Sequence, residues 1–315
     1  MTGAFLLSLI CVLTLSHPSK PDRAITCVAI SHSGRWLAAG TCCGLIMICD
    51  RDKFGSCRSV TTERGVLNDL RFSPDDRFLA IANEGIQFLA IDQSEHSFAL
   101  RSDRRNYGTV SFNNASAELL TITGQSEIQV INLRSRATVS TICCSSIYGE
   151  AAFSPDDALI FNAGHWPRVW DKYGHLLGSL TADRQDPTFG PIAIDGEKRA
   201  VFMGSQDGRV YAWDLQHYNF LTRSDPHNEY VHAIAIVAKV SHEIVYAGFG
   251  TVARLWNPES GKESELPGLK PTSNLIALTG GHSLLFGTNK GTVEIWDFRG
   301  TPRRTTTVAI IENRK

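Results

Sequence analysis

The chain has 315 residues, 20% of them charged, and a formal net charge of −1. It therefore carries no overall basic field of the kind that advertises nucleic-acid binding, so nucleic acid is not the expected partner. Its charges are scattered, as on a solvated surface, and no low-complexity or Pro-rich linker divides it, so a single domain over residues 1–315 is expected.

The first apolar run, FLLSLICVLTL at 5–15, has two readings. It is too short for the roughly 20 residues of a spanning helix, so no membrane span is expected. It has the length of a signal-peptide core, but no Lys or Arg precedes it and no A-x-A-like cleavage site follows. Within residues 1–17, residues 12–16 are instead favoured as an outer strand of the last repeat of the chain. That place is also open to RTTTVAII at 304–311. Under the signal reading the protein is secreted, and Asn114-Ala115-Ser116 becomes a glycosylation site. Otherwise the cytoplasm is expected.

A long repeat follows. An apolar or aromatic residue meets Asp or Asn at Cys49-Asp50, Ile91-Asp92, Ile131-Asn132, Trp170-Asp171, Trp213-Asp214, Trp256-Asn257 and Trp296-Asp297. The steps are 42, 40, 39, 43, 43 and 40 residues, far longer than any helix or strand. Such a period counts supersecondary units, and there are seven, over about 25–62, 66–102, 107–145, 148–183, 189–224, 230–270 and 274–315.

The copy that begins at residue 189 shows what one unit contains. GPIAI, RAVFMGS, RVYAWDL and NFLTRS are short β-rich runs, separated by DGEK, QDG and QHY. Turn chemistry repeats as well: SPDD stands at 73–76 and 154–157, with Pro where its fixed φ suits a turn and Asp where its side chain caps it. Four antiparallel strands cannot bury both faces of their sheet alone. Seven such sheets stacked around an axis can. The expected fold is all-β, a seven-bladed β-propeller of four-stranded antiparallel blades.

Four copies close their third strand with VWD, AWD, LWN and IWD, FSPDD occurs twice, and SQDG and NKGT precede two of the closings. On these residues the chain resembles the WD-repeat β-propeller family over nearly its whole length. The resemblance implies a protein-interaction scaffold and a buried His–Ser/Thr–Asp–Trp network. The fifth copy offers Ser205, Asp207 and Trp213 for that network but no His. The first three copies hold Cys49, Ile91 and Ile131 where the family has Trp, so apolar packing is expected to hold those blades.

No catalytic constellation stands out. GFGTVA at 248–253 imitates a dinucleotide fingerprint but leads into a strand, with no helix N-terminus to receive a pyrophosphate. Asp75-Asp76 and Asp156-Asp157 recur in equivalent turns and read as turn chemistry. His227 and His232 have no third metal ligand at a telling spacing, and no G-x-S-x-G elbow occurs. Of the eight cysteines, Cys27 and Cys49 read as buried apolar residues of strands. The adjacent pairs 42–43 and 143–144 point to opposite strand faces, and no C-x-x-C occurs. A reducing compartment, no metal and no cofactor are expected, and the chain is not expected to be an enzyme.

The aromatics carry the functional reading. Tyr107, Tyr148, Phe189 and Tyr230 follow one another at steps of 41 residues, each at the start of an inner strand near the central channel. The turns between second and third strands come to the same face and add Trp166 and Phe249. The loops before the inner strands add Arg104, Arg105, Arg184 and Arg223. Tyr, Trp, Phe and Arg dominate binding hot spots, so a crescent over the third to sixth repeats is expected to bind a protein or peptide, with an acidic or phosphorylated segment favoured by the arginines. The competing reading of each aromatic is packing against a neighbouring blade. Other functions are an enzyme with its site in the central channel and an RNA-binding propeller.

Overall fold

The computed structural model describes residues 24–51, 57–62, 66–92, 96–101, 107–115, 117–124, 127–143, 149–182, 187–237, 242–277 and 282–309. They form seven four-stranded antiparallel sheets in sequence order, with no α-helix among the described residues. The first three blades comprise Ile25–Ile30, Trp36–Thr41, Leu45–Asp50 and Cys57–Thr61; Asp69–Phe72, Phe78–Ala82, Ile86–Ala90 and Phe98–Arg101; and Tyr107–Phe112, Glu118–Thr123, Glu127–Asn132 and Thr138–Cys143. The fourth and fifth comprise Ala151–Phe153, Leu159–Asn162, Arg168–Asp171 and Leu176–Ser179; and Phe189–Asp195, Ala200–Ser205, Val210–Asp214 and Phe220–Arg223. The last two comprise Ala233–Val237, Glu243–Ala247, Ala253–Trp256 and Glu263–Leu266; and Ile276–Ala277, Ser283–Gly287, Thr292–Asp297 and Arg303–Ala309.

Each blade buries its faces against its two neighbours, because a single sheet with two apolar faces has nothing else to cover them. One apolar cluster fills each seam. Ile25, Val28 and Leu37 meet Leu285, Val293 and Ile295, which closes the first blade onto the seventh. Where Trp is missing, apolar residues fill the space as expected: Ile91 packs in the seam of blades one and two, and Ile131 in that of two and three.

Most seams are also linked by hydrogen bonds, of two alternating kinds. At the first turn of blades two, four and six, Asp76, Asp157 and His242 adopt positive φ (59°, 60° and 53°). Asp76 accepts from His32 N and Ser33 N of blade one, Asp157 from Asn114 N and Ala115 N of blade three, and His242 meets Asp195 of blade five at 2.9 Å. The second Asp of each SPDD turn is thus a seam link as well as a turn residue. The first Asp does the local work, since Asp75 accepts from Ser73 Oγ and Arg77 N.

The other kind lies at the inner strands. Those of blades one, three and five are bulged near their start, between Ile25 and Cys27 and opposite Thr121/Thr123 and between Phe189 and Ile192. In each, an amide just past the bulge bonds a side chain of the preceding blade. Val28 N donates to Asn274, Val110 N to Asp69 and Ile192 N to Glu150, at 2.9, 3.1 and 3.1 Å. Seven is odd, so alternation cannot run all the way round. At the seam of blades six and seven neither link occurs among the described residues, and Val245, Leu269, Leu275, Phe286 and Trp296 pack there.

Three expectations are corrected. The outer strand of blade seven is the C-terminal Arg303–Ala309, paired along Thr292–Asp297; residues 12–16, favoured for that place, lie outside the described residues. Cys49 is not a free core thiol. It faces Cys57 across the third hairpin of blade one, where the two form a disulfide. Trp213 is fully buried, but its indole N–H donates to Thr181 O of the preceding blade at 3.3 Å. The Ser205–Asp207 pair is completed by Tyr211, whose hydroxyl donates to Asp207 at 2.8 Å. Tyr211 lies two residues nearer the turn, so its hydroxyl reaches the carboxylate.

Candidate partner-binding face

Antiparallel order places the turns between second and third strands, together with the loops joining successive blades, at one end of the ring. This is the upper face. The first turns of the blades lie at the lower one. Between them runs the central channel, with a cavity of about 640 Å³ lined by Ile30, Arg71, Ile192, Ile194, Ile234 and Ile276 and reaching the lower-face turn at Asp195.

On the upper face, Trp166, Tyr230 and Phe249 are exposed by 59%, 43% and 57%, where most rings of their size fill seams. They sit over blades four to six in one arc. His165, beside Trp166, bonds Thr188 Oγ1 at 2.9 Å, and two residues further along that strand the Tyr230 ring rests on Gly190. A side chain at Gly190 would press within 3.3 Å of that ring. The arc continues from Tyr230 to His232, at 6.1 Å between ring centres, and from His232 to Phe249 at 5.2 Å, both edge to face. Burial pushes the His232 imidazole, which stands between the two aromatics, below its ordinary range and so favours its neutral form.

Two of the periodic aromatics are not on this surface. Tyr107 and Phe189 are buried, at 1% and 0% exposure. Tyr107 packs with Phe88 and Leu119 in the seam of blades two and three, and Phe189 packs edge-on to Tyr211 and Trp213. Register explains the difference. Tyr107 and Phe189 stand opposite the last residues of their second strands, Thr123 and Ser205. In blade six that place belongs to Ala233, opposite Ala247, so the same 41-residue step leaves Tyr230 in the loop outside the seam. Tyr148, Arg104, Arg105 and Arg184 lie outside the described residues. Arg223 is exposed at the end of the outer strand of blade five, its guanidinium 5.7 Å from the Tyr211 ring.

At the channel lie charges that sequence reasoning missed. Arg71 enters the channel with 31% of its side-chain surface open, 3.5 Å from Asp69. Burial pushes the carboxyls of Asp69 and Glu150 above their ordinary range, and Arg71 pulls both back. Asp69 also accepts Val110 N and Leu70 N, while Glu150 accepts Ile192 N through Oε2 and, among the described residues, no bond through Oε1. Glu150 in turn raises the Tyr230 phenol, after burial itself. The signal was available as spacing: Asp69, Glu150 and Asn274 stand in the same place of their blades, each one residue before the amide-bearing position. Among the described residues no group of three His, Cys, Asp or Glu side chains is placed to hold a metal.

A family model described as WD domain, G-beta repeat, matches residues 9–50, which include the first three strands of blade one. With seven antiparallel four-stranded blades closed in a ring, the chain is a seven-bladed β-propeller whose first repeat is similar to the WD domain, G-beta repeat.

Proposed function

We propose that the protein is a non-catalytic scaffold that binds a partner protein, through a peptide segment, on the upper face of blades four to six. WD-repeat propellers, to which the first repeat is similar, generally mediate protein interactions. The observation that supports a location is the arc of Trp166, Tyr230 and Phe249, whose rings fill no seam. Trp166 stands in a tight turn beside Pro167, where folding gives no reason for an indole. Large rigid rings held at low entropic cost are what hot spots are made of.

An enzyme site in the channel would draw on the raised carboxyls of Asp69 and Glu150. Their position argues for a different role. Asn274 makes the same bond in the equivalent place of blade seven and has no proton to exchange, so the position serves the seam. The arginines expected on this face favour an acidic or phosphorylated partner. Of these only Arg223 is described, and it leans on Tyr211, so the partner's charge is argued below from the described groups.

The test is affinity capture with quantitative mass spectrometry, comparing the wild type, Trp166→Ala and the rim variant Leu177→Ser. Leu177 is 48% exposed on an outer strand, so both variants should fold within about 0.5 kcal/mol of the wild type. A true partner is lost with Trp166→Ala and retained with Leu177→Ser. Its purified form should bind Trp166→Ala about thirtyfold more weakly, about 2 kcal/mol. Equal recovery by all three proteins would refute the location.

A further inference from the structure

We infer that the channel mouth beside Tyr230 receives a basic side chain, lysine or arginine, from the bound partner, with Glu150 as its counter-charge. The inference rests on the proposed binding face and specifies the chemistry it selects. Three observations lead to it.

The inner group of charges does not balance. Asp69 and Glu150 supply two carboxylates and Arg71 one cation, so the cluster carries an excess of one negative charge when both are ionised. Other described cations nearby are engaged. Arg209 donates to Ser224 O and lies 3.7 Å from Asp207, and Arg223 lies against Tyr211. Glu229, exposed next to Tyr230 in the loop, adds to the same sign.

Glu150 also has acceptor capacity to spare. Oε2 holds the seam through Ile192 N, and Oε1 accepts no hydrogen bond from any described group. A partly enclosed carboxylate oxygen in a confined channel gains most from a charged donor that arrives with its own N–H groups.

The approach is lined for a cation with an apolar stem. Tyr230 lies over Gly190, whose carbonyl accepts Glu150 N, so the phenol ring stands directly above the strand that positions the carboxylate. Gly149 lets the backbone beside Glu150 pack closely against the next blade, because a Cβ there would come within 2.7 Å of Ala163 and of Phe189 O. A lysine or arginine side chain can run its methylenes along the ring and deliver its head group to Glu150, with cation–π attraction from the exposed aromatic face. An acidic or phosphorylated segment would meet Glu150, Asp69 and Glu229 instead, and like charges in contact repel at close range.

The test uses the full chain and three fluorescein-labelled nonapeptides of Gly and Ser, carrying three arginines, three glutamates or three phosphoserines. Anisotropy is read at about 0.1 M salt, where surface charges at a distance are screened. The arginine peptide should bind most tightly. Glu150→Gln, which keeps an oxygen for Ile192 N but removes the charge, should weaken it roughly tenfold, and so should Tyr230→Ala. Glu197→Gln on the lower face should change it less than twofold. Because Tyr230 is exposed, its variant remains informative even if Glu150→Gln unfolds. The inference is overturned if the glutamate or phosphoserine peptide binds as tightly, if the arginine peptide ignores both upper-face variants, or if no peptide binds. Should no peptide bind while Trp166→Ala still loses the captured partner, the face stands and only its charge preference falls.

Discussion

Replacing Trp213 with Ala should destabilise the protein by about 3–5 kcal/mol, the cost of emptying a large buried aromatic site. The indole is fully buried in the seam of blades four and five. Its ring centre lies 5.4 Å from Phe189, 5.9 Å from the stacked Tyr211 and 6.2 Å from Phe220. It also ties the two blades directly, since its N–H donates to Thr181 O. Phe161, Val201 and Met203 surround the same cluster and belong to strands of two sheets, so they cannot close the hole without moving a blade. Equilibrium urea unfolding measures the loss. A change under 1 kcal/mol would mean that the seam is looser than its geometry.

Arg71→Leu should cost about 3 kcal/mol, with a pH dependence that identifies the cause. Leucine fills much of the space beside Phe72 but leaves Asp69 and Glu150 without the cation that offsets their burial. Both carboxyls already sit above their ordinary range in the folded protein, and losing Arg71 raises them further. A group whose folded pKa is raised binds its proton better when folded. The variant should therefore be closest to the wild type below about pH 4, where both carboxyls are protonated folded and unfolded. Its deficit should grow as the pH rises past the unfolded values. Melting temperatures between pH 4 and 8 decide this. A deficit that stays constant with pH would make Arg71 a packing residue only.

The architecture was legible in the sequence because it is written as spacing. The seven pairs of an apolar or aromatic residue with Asp or Asn, at or just past the ends of the third strands, fix the blade count, and the SPDD turns fix where first and second strands meet. A repeat places residues modulo one blade, yet burial depends on single-residue differences within it. Tyr107 and Phe189 begin bulged inner strands and fall into seams. Tyr230, one more step of 41 along, misses its strand and stays in the open. The turn aromatics Trp166 and Phe249 were easier to place, because a turn has no seam to enter. Asp69 and Arg71 stand on one strand of blade two, and they were overlooked because Glu150, in blade four, joins them only when the ring closes. Tyr211 took the partner expected of Trp213 for a local reason, being two residues closer to the Asp207 turn. The pairing of Cys49 with Cys57 needed the register of one hairpin, which cysteine spacing alone does not fix.

Hydrogen–deuterium exchange of the full chain, free and bound to the captured partner, tests most directly whether the upper face of blades four to six is the binding surface. Protection on binding should appear at 164–167, 188–190, 230–232 and 248–250, which carry Trp166, Thr188, Tyr230 and Phe249. The outer strands Leu176–Ser179 and Phe220–Arg223 should exchange as in the free protein. Protection confined to those outer strands or to the lower-face turns, with the four upper segments unchanged, would contradict the account.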